Sequence, residues 1–311
     1  MTDALQSLFW ILIFPGFLFT LVFGLFASWI VRKVSALVQW RVGPPLLQPF
    51  YDVIKLMGKE ILIPQEAQRT VFIAAPLVGM AGVLLLSTML WRITFEPITP
   101  FIGDIIVAIY LMVLPSLALI LGSSASASPH ATIGTAREMK LVMGYELPLV
   151  LAFIVVIIKT GGQLNLAVIA QQTPALSISG MLAFLAALLC VQAKLGFVPF
   201  DIAESETEIA SGVLIEYSGA LLAVWKVMQA MMLVALPLFL VMVFLGGFGV
   251  SLWAGLGKYL LIVVLLILIK NTNPRVRIDQ AMKFFWVYCG IALAVAIILA
   301  VTGNYYGIKW L

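Results

Sequence analysis

About eight stretches of this sequence are apolar for long enough to cross a lipid bilayer, near 8–31, 70–91, 104–122, 141–158, 176–193, 217–245, 258–270 and 284–302. A spanning helix needs roughly 20 predominantly apolar residues, and lipid offers no partner for an unpaired backbone N–H or C=O, so such runs must close their hydrogen bonds internally. They lack the short alternating apolar and polar segments of an outer-membrane barrel. The fold class that follows is all-α and polytopic, a single transmembrane domain over 1–311 with about eight helices. Composition agrees: 63% of residues are hydrophobic and 10% charged, where a soluble domain carries about 25% charged residues. The start, MTDALQSLFW, has no Lys or Arg before its first apolar run and carries Asp3. It lacks the basic opening of a cleavable signal peptide, so the first run is expected to stay as a helix.

The basic residues set an orientation. Arg32, Lys33, Arg41, Lys55, Lys59 and Arg69 lie between spans one and two, Arg137 and Lys140 between three and four, Lys194 after five, and Lys270, Arg275, Arg277 and Lys283 between seven and eight. The other loops hold Arg92, Lys159, Lys258 and Lys309. By the positive-inside rule the rich loops are cytoplasmic and both termini lie outside. The long polar connections then share the inner face, and one elaborated face usually docks a partner. The net charge of +4 does not argue for nucleic acid, because it resides in these orienting loops. No internal repeat supports an inverted-repeat transporter.

Cysteine and histidine exclude some chemistry. Cys190 and Cys289 are far apart, each inside an apolar run, so no CxxC or metal-ligand spacing exists and both read as buried, inert thiols. His130, the one histidine, reads as a solvated residue of the loop SSASASPHATIG. The chain is expected to hold no metal, flavin or nucleotide of its own.

Carboxylates carry the functional signal. The stretch FVPFDIAESETEIASGVLIEYSG gathers Asp201, Glu204, Glu206, Glu208 and Glu216 between two apolar runs. On a helix Asp201, Glu204 and Glu208 (i, i+3, i+7) share a face while Glu206 points elsewhere. Carboxylates crowded near a membrane repel one another and favour partial protonation, which lets them hold and pass protons. The plain alternative is a solvated acidic loop. Glu146, in KLVMGYELPLVLAFIV, is an intramembrane carboxylate a turn or two inside span four with Pro148 beside it; such groups are functional candidates, the alternative being a pair kept for stability. Lys226 is the one ionisable group in span six, either a counter-ion to the cluster or a snorkelling chain. In the loop QWRVGPPLLQPFYDVIKLMGKEILIPQ, Asp52, Lys55 and Lys59 (i, i+3, i+7) form one charged stripe of a short amphipathic helix, with Phe50, Ile54 and Met57 on another face and Arg41 and Glu60 flanking. That stripe is a solvated face or a docking surface.

Taken together, RVGPPLLQPFYDVIKLMGKE, AREMKLVMGYELPL, FVPFDIAESETEIASGVLIEYSG and NPRVRIDQAMKFFW resemble the motifs of one membrane subunit of the respiratory complex I superfamily, the subunit that connects the redox arm to the ion pumps. The version most similar is that of group 4 membrane-bound NiFe hydrogenases and their sulfur-reducing relatives. The resemblance implies that Glu146, Asp201, Glu204, Glu206, Glu208 and Glu216 match the acidic path linking redox site and proton movement. It implies that Arg32, Asp52, Arg137, Arg275, Arg277 and Asp279 match charged positions of the cytoplasmic face. It also implies partners: a NiFe-type large subunit and an iron–sulfur small subunit carrying the redox centres, antiporter-like membrane subunits, and ferredoxin indirectly, in the cell membrane of a prokaryote. Departures choose among branches. Quinone-reducing relatives typically read ETNRAPFD where this chain reads QAKLGFVPFD, so Phe197 stands at the place of an arginine; the first loop is compact, and a carboxylate of span six is absent, with Lys226 and Gln229 nearby. The expectation is a membrane anchor and coupling subunit of a ferredoxin-linked complex. Its rivals are a sulfane or polysulfide reductase subunit, a quinone-linked subunit, a stand-alone cation/proton antiporter and an inert anchor.

Overall fold

A computed structural model of the protein describes residues 2–95, 103–249, 251–308 and 310–311, and is all-helical throughout them; Lys309 lies outside the described residues. The helices are α1 (Thr2–Leu12), α2 (Phe17–Val38), α3 (Gln48–Met57), α4 (Arg69–Phe95), α5 (Asp104–Ser124), α6 (Pro129–Lys159), α7 (Leu166–Ile169), α8 (Ile178–Lys194), α9 (Glu206–Ile209), α10 (Gly219–Phe244), α11 (Leu252–Thr272), α12 (Ile278–Lys283) and, after a π-helical turn over Phe284–Cys289, α13 (Gly290–Tyr306). Among the described residues seven helical segments are long and apolar enough to cross a membrane, and the 17-residue α8 is a shorter apolar helix beside them. Together they account for the eight expected spans.

Two boundaries differ from expectation for simple reasons. The first apolar run is interrupted between α1 and α2 at Pro15-Gly16, where proline supplies no backbone donor. Span four begins twelve residues before the expected 141, because Ser128-Pro129 offers a start for which proline at the first helical position is suited. At 31 residues α6 is about 46 Å long, well beyond the roughly 30 Å of hydrocarbon. Arg137 and Lys140, expected in a loop, therefore stand on the extramembrane turns of a helix, and the exposed His130 sits in its first turn. Glu146 lies almost five turns from the helix start rather than one or two.

Helix α10 is the axis of the bundle. Its apolar stretch is 94% buried, so it faces protein and not lipid, with α2, α3, α4, α8 and α11 around it. Because lipid tails are as apolar as leucine, association here rests on close van der Waals packing. Gly24 of α2 shows the requirement: a Cβ built there would stand 2.6 Å from the carbonyl oxygen of Ala230 on α10. Gly134 does the same for α6, where a Cβ would meet the backbone nitrogen of Val213 at 2.7 Å. These contacts bring α2 against α10 near its polar residues and α6 against the turn at 212–214 that precedes α10.

Candidate functional site

The segment 195–218 decides the site, and it is not one helix. Phe197 to Ser205 is irregular, α9 is a single turn, and Ala210, Ser211 and Gly212 all take left-handed backbone angles (φ 49°, 75° and 44°) that turn the chain back on itself. At Gly212 a Cβ would stand 2.2 Å from the carbonyl oxygen of Ala203, so no larger residue closes this turn. The expected shared face of Asp201, Glu204 and Glu208 is therefore corrected. A segment that is irregular from Phe197 to Ser205 cannot keep the helical i, i+3, i+7 register across Asp201, Glu204 and Glu208, and the three carboxylates diverge to three different partners.

Asp201 pairs with Arg275 at 2.7 Å, and its other oxygen, Oδ1, is buried without a hydrogen-bond partner among the described residues. Glu208 pairs with Arg137 at 2.6 Å. Glu204 accepts a 2.8 Å hydrogen bond from the Nε2 of Gln229, whose Oε1 in turn accepts from Lys226 at 3.2 Å. Lys226 is thus linked to the acidic segment through an amide, neither a direct counter-ion nor a free snorkelling chain. The Glu206 side chain is outside the described residues. Glu216 is half-buried, with no hydrogen bond or ion pair among the described residues, and the structure does not bring it to the others.

Three adjoining cavities organise these groups. The one nearest the long charged loops, of about 310 Å³, is lined by Arg137, Asp201, Glu208, Arg275, Arg277 and Asp279. A second, of only about 40 Å³, shares Asp201 with it and adds Glu138, Lys194, Glu204 and Gln229. The third, of about 560 Å³, shares Glu204 and Gln229 with the second and opens between α2, α3 and α10, where Arg32, Lys55, Lys59, Lys226 and Lys270 face Asp52 and Glu204. Five cations against two carboxylates make it electropositive. From the small cavity the polar run goes deeper: the fully buried Lys194 ammonium forms an ion pair with Glu146, donates to the carbonyl of Met112 at 3.0 Å and lies 5.1 Å from the centre of the Tyr145 ring, while the Tyr145 hydroxyl is 3.1 Å from that of Ser116.

The charged stripe of α3 borders the third cavity. Asp52, Lys55 and Lys59 line it, Lys59 from just beyond the helix end; Asp52 is half-buried, while Lys55 and Lys59 are exposed, as are Tyr51, Ile54 and Met57. Arg32 binds Asp52 at 2.7 Å and Gln48 donates to its other oxygen at 2.9 Å. Burial raises the Asp52 pKa, but the bonds from Arg32 and Gln48 and the charges of Arg32 and Lys55 outweigh it, and the carboxyl titrates below its ordinary value. Arg41, Glu60 and Lys140 are exposed, and Arg277 and Asp279 form a loose exposed pair at 3.5 Å. Phe197 does not leave its cavity without a cation: the Lys270 ammonium stands 4.5 Å from the centre of its ring.

Sequence reasoning misses Glu138 and undervalues Lys194. An α6 that starts at Pro129 puts Glu138 two turns before Tyr145 on one face, and that spacing is the available signal. Lys194 reads as an orienting loop residue because it ends an apolar run; folding buries it. The two cysteines are buried as expected. Among the described residues no group of three or more His, Cys, Asp or Glu is placed to hold a metal ion.

Residues 11–301 match the model of the family described as NADH dehydrogenase. The chain is 34% identical over 309 residues to a subunit of the NADH-quinone oxidoreductase of Syntrophotalea carbinolica, covering 92% of this chain and 93% of that one. It is 32% identical over 287 residues to the subunit of the same name from Dehalococcoides mccartyi, covering 86% and 79%. Among solved structures it is similar to a chain of the membrane-bound sulfane sulfur reductase, an archaeal respiratory membrane complex, with a TM-score of 0.84 and 27% identity over 96% of this chain and 100% of that chain.

Proposed function

This chain belongs to the NADH dehydrogenase family and is a multi-span membrane subunit of the complex I superfamily, and we propose that it anchors the redox arm and couples it to ion movement in a ferredoxin-linked complex of the NiFe hydrogenase type. One observation carries the reading. Polar pairs border adjoining cavities from Arg275–Asp201 and Arg137–Glu208, through Glu204–Gln229–Lys226, to Lys194, which pairs in turn with Glu146.

Such a chain transmits charge by exchange of partners. When the arm's redox step places negative charge near the docking face, Arg275 is drawn toward it and Asp201 loses its counter-ion. Asp201 then shares a 40 Å³ cavity with Glu138 and Glu204, where mutual repulsion at close range favours uptake of a proton. Neutralising one member changes the field on Lys194 and Glu146 and biases the next pair. Coupling of 1–3 kcal/mol, about the usual range between linked sites, suffices to shift such an equilibrium five- to 150-fold. The nickel–iron and iron–sulfur groups would reside on the large and small partner subunits, with antiporter-like chains completing the ion path and both termini of this chain on the far side of the membrane.

The test is to purify the complex through a tag on this chain, supply reduced ferredoxin and measure hydrogen by gas chromatography. Hydrogen evolution is the expected result. The likeness to the sulfane sulfur reductase favours one second reading, in which the complex releases hydrogen sulfide from polysulfide and no hydrogen. An intact complex that does neither but reduces quinone would overturn both.

A further inference from the structure

The third cavity, of about 560 Å³, holds more positive charge than the polar relay uses. Its two carboxylates are already engaged, Asp52 by Arg32 and Gln48, and Glu204 by Gln229. Lys55, Lys59, Lys226 and Lys270 also line it, and none of the four forms an ion pair among the described residues. Lys226 has a neutral partner, the Oε1 of Gln229 at 3.2 Å, and Lys270 an aromatic one, the Phe197 ring at 4.5 Å. Lys226 is exposed although Trp225 and Val227 on either side of it are buried, so the surface it shows is the cavity's. Ammonium groups gathered beside apolar walls repel one another, and an anion seated between them removes that cost.

The walls say which anion. The buried Leu25 of α2 and the buried Ala230 and Leu233 of α10 form its apolar floor. Arg32 and Lys226 stand on the same two helices, seven residues or about 10 Å from Leu25 and Leu233 and nearer the charged loops. Cations at one end and hydrocarbon at the other match an amphiphile. A free inorganic anion would leave the floor wet, and a neutral ring would leave the cations unpaired. The depth fits as well. Helix α3 follows α2 by a short loop and shows Tyr51, Ile54 and Met57, 59%, 65% and 65% exposed, while Trp40 in that loop is 98% exposed. An apolar face with a tryptophan beside it belongs at the headgroup level, and basic pockets between membrane helices take anionic headgroups there. We propose that the third cavity binds the phosphate of one anionic phospholipid from the leaflet on that side, among Lys55, Lys226 and Lys270, with a hydrocarbon chain on Leu25, Ala230 and Leu233.

The test titrates the detergent-purified complex, stripped of lipid, with phosphatidylglycerol or phosphatidylcholine and reads it by native mass spectrometry with this chain ejected in the gas phase. The expected chain takes up one phosphatidylglycerol, several-fold more readily than phosphatidylcholine. Combining Lys55→Met with Lys270→Met lowers that uptake about tenfold or more, Lys270→Arg keeps it, and Lys140→Met, an exposed cation outside the cavity, leaves it unchanged. Uptake of neither lipid, or of both equally, would overturn the site without any variant having to assemble. So would equal uptake of phosphatidylglycerol by wild type and the double variant. An adduct of phosphate mass alone, or loss of the lipid to excess inorganic phosphate, would assign the cations to a free anion and overturn the lipid, as would a bound isoprenoid quinone in its place. None of these readouts depends on the terminal acceptor or on ion movement.

Discussion

The two ends of α10 are built on different principles. From Met231 to Phe244 every residue is buried, apolar all round, and packed against helices on all sides; nothing in that half can change charge. Just before it the same helix presents Lys226 and Gln229 to the cavities, beside an irregular segment whose carboxylates each hold a different partner. In the proposed coupling role, the first half of the helix is where state would change, and the second is the packed body against which it would change. The difference teaches why a central helix carries both: a switchable network in lipid needs a wall that does not yield, since interhelical packing there has no hydrophobic drive to restore it.

The largest effect should come from breaking the deepest polar pair. Lys194→Met leaves Glu146 without its ammonium, and losing one partner of a buried pair costs about 3–5 kcal/mol. The expected outcome is severe loss of assembled complex by size-exclusion chromatography, largely regained when Glu146→Leu is added; a single variant that assembles like wild type would refute the pairing. Next, Phe239→Ala in the apolar half should cost about 3 kcal/mol through the cavity it leaves, seen as a lower melting temperature. The complex that survives should still move the same number of ions per electron.

Gln229→Leu sharpens the contrast. It should change stability by about 1 kcal/mol or less yet cut the link between Lys226 and Glu204, so that ion translocation in proteoliposomes falls several-fold while electron transfer continues. Translocation at the wild-type ratio would mean the amide is packing alone. The smallest effect concerns the docking face. Asp52 titrates below its ordinary 3.8, so its pair with Arg32 adds stability above that pH, and the contribution disappears as pH falls through the lowered folded value. Both side chains are more than a third exposed, and solvent screening holds the gain to about half a kcal/mol. Melting curves of wild type and Asp52→Asn should differ slightly at pH 6 and converge near pH 3; a gap that widens in acid would contradict the sign.

Much of this is legible in the chain. The eight apolar helices, the acidic segment as the place of interest, and Glu146 as an intramembrane carboxylate all follow from spacing and cost. The error about Asp201, Glu204 and Glu208 has a specific cause. It carries a helical phase through residues 201–205, which are irregular, before the single turn of α9 begins at Glu206. The stripe on α3 exists as its spacing predicts and borders a cavity with Lys55 and Lys59 still exposed, because periodicity separates two faces without saying what each one meets.

What the sequence determined by itself is the bilayer as solvent, the helical class and the side-to-side asymmetry of charge, because the cost of bare backbone and of charge in hydrocarbon is local and can be read residue by residue. What tertiary structure alone decided is who pairs with whom. The partner of Asp201 is 74 positions away at Arg275, that of Glu146 is 48 away at Lys194, and that of Glu204 is 25 away at Gln229. An ion pair depends on a distance of a few ångströms in space, and that distance is set by how the helices and the irregular segment between them pack.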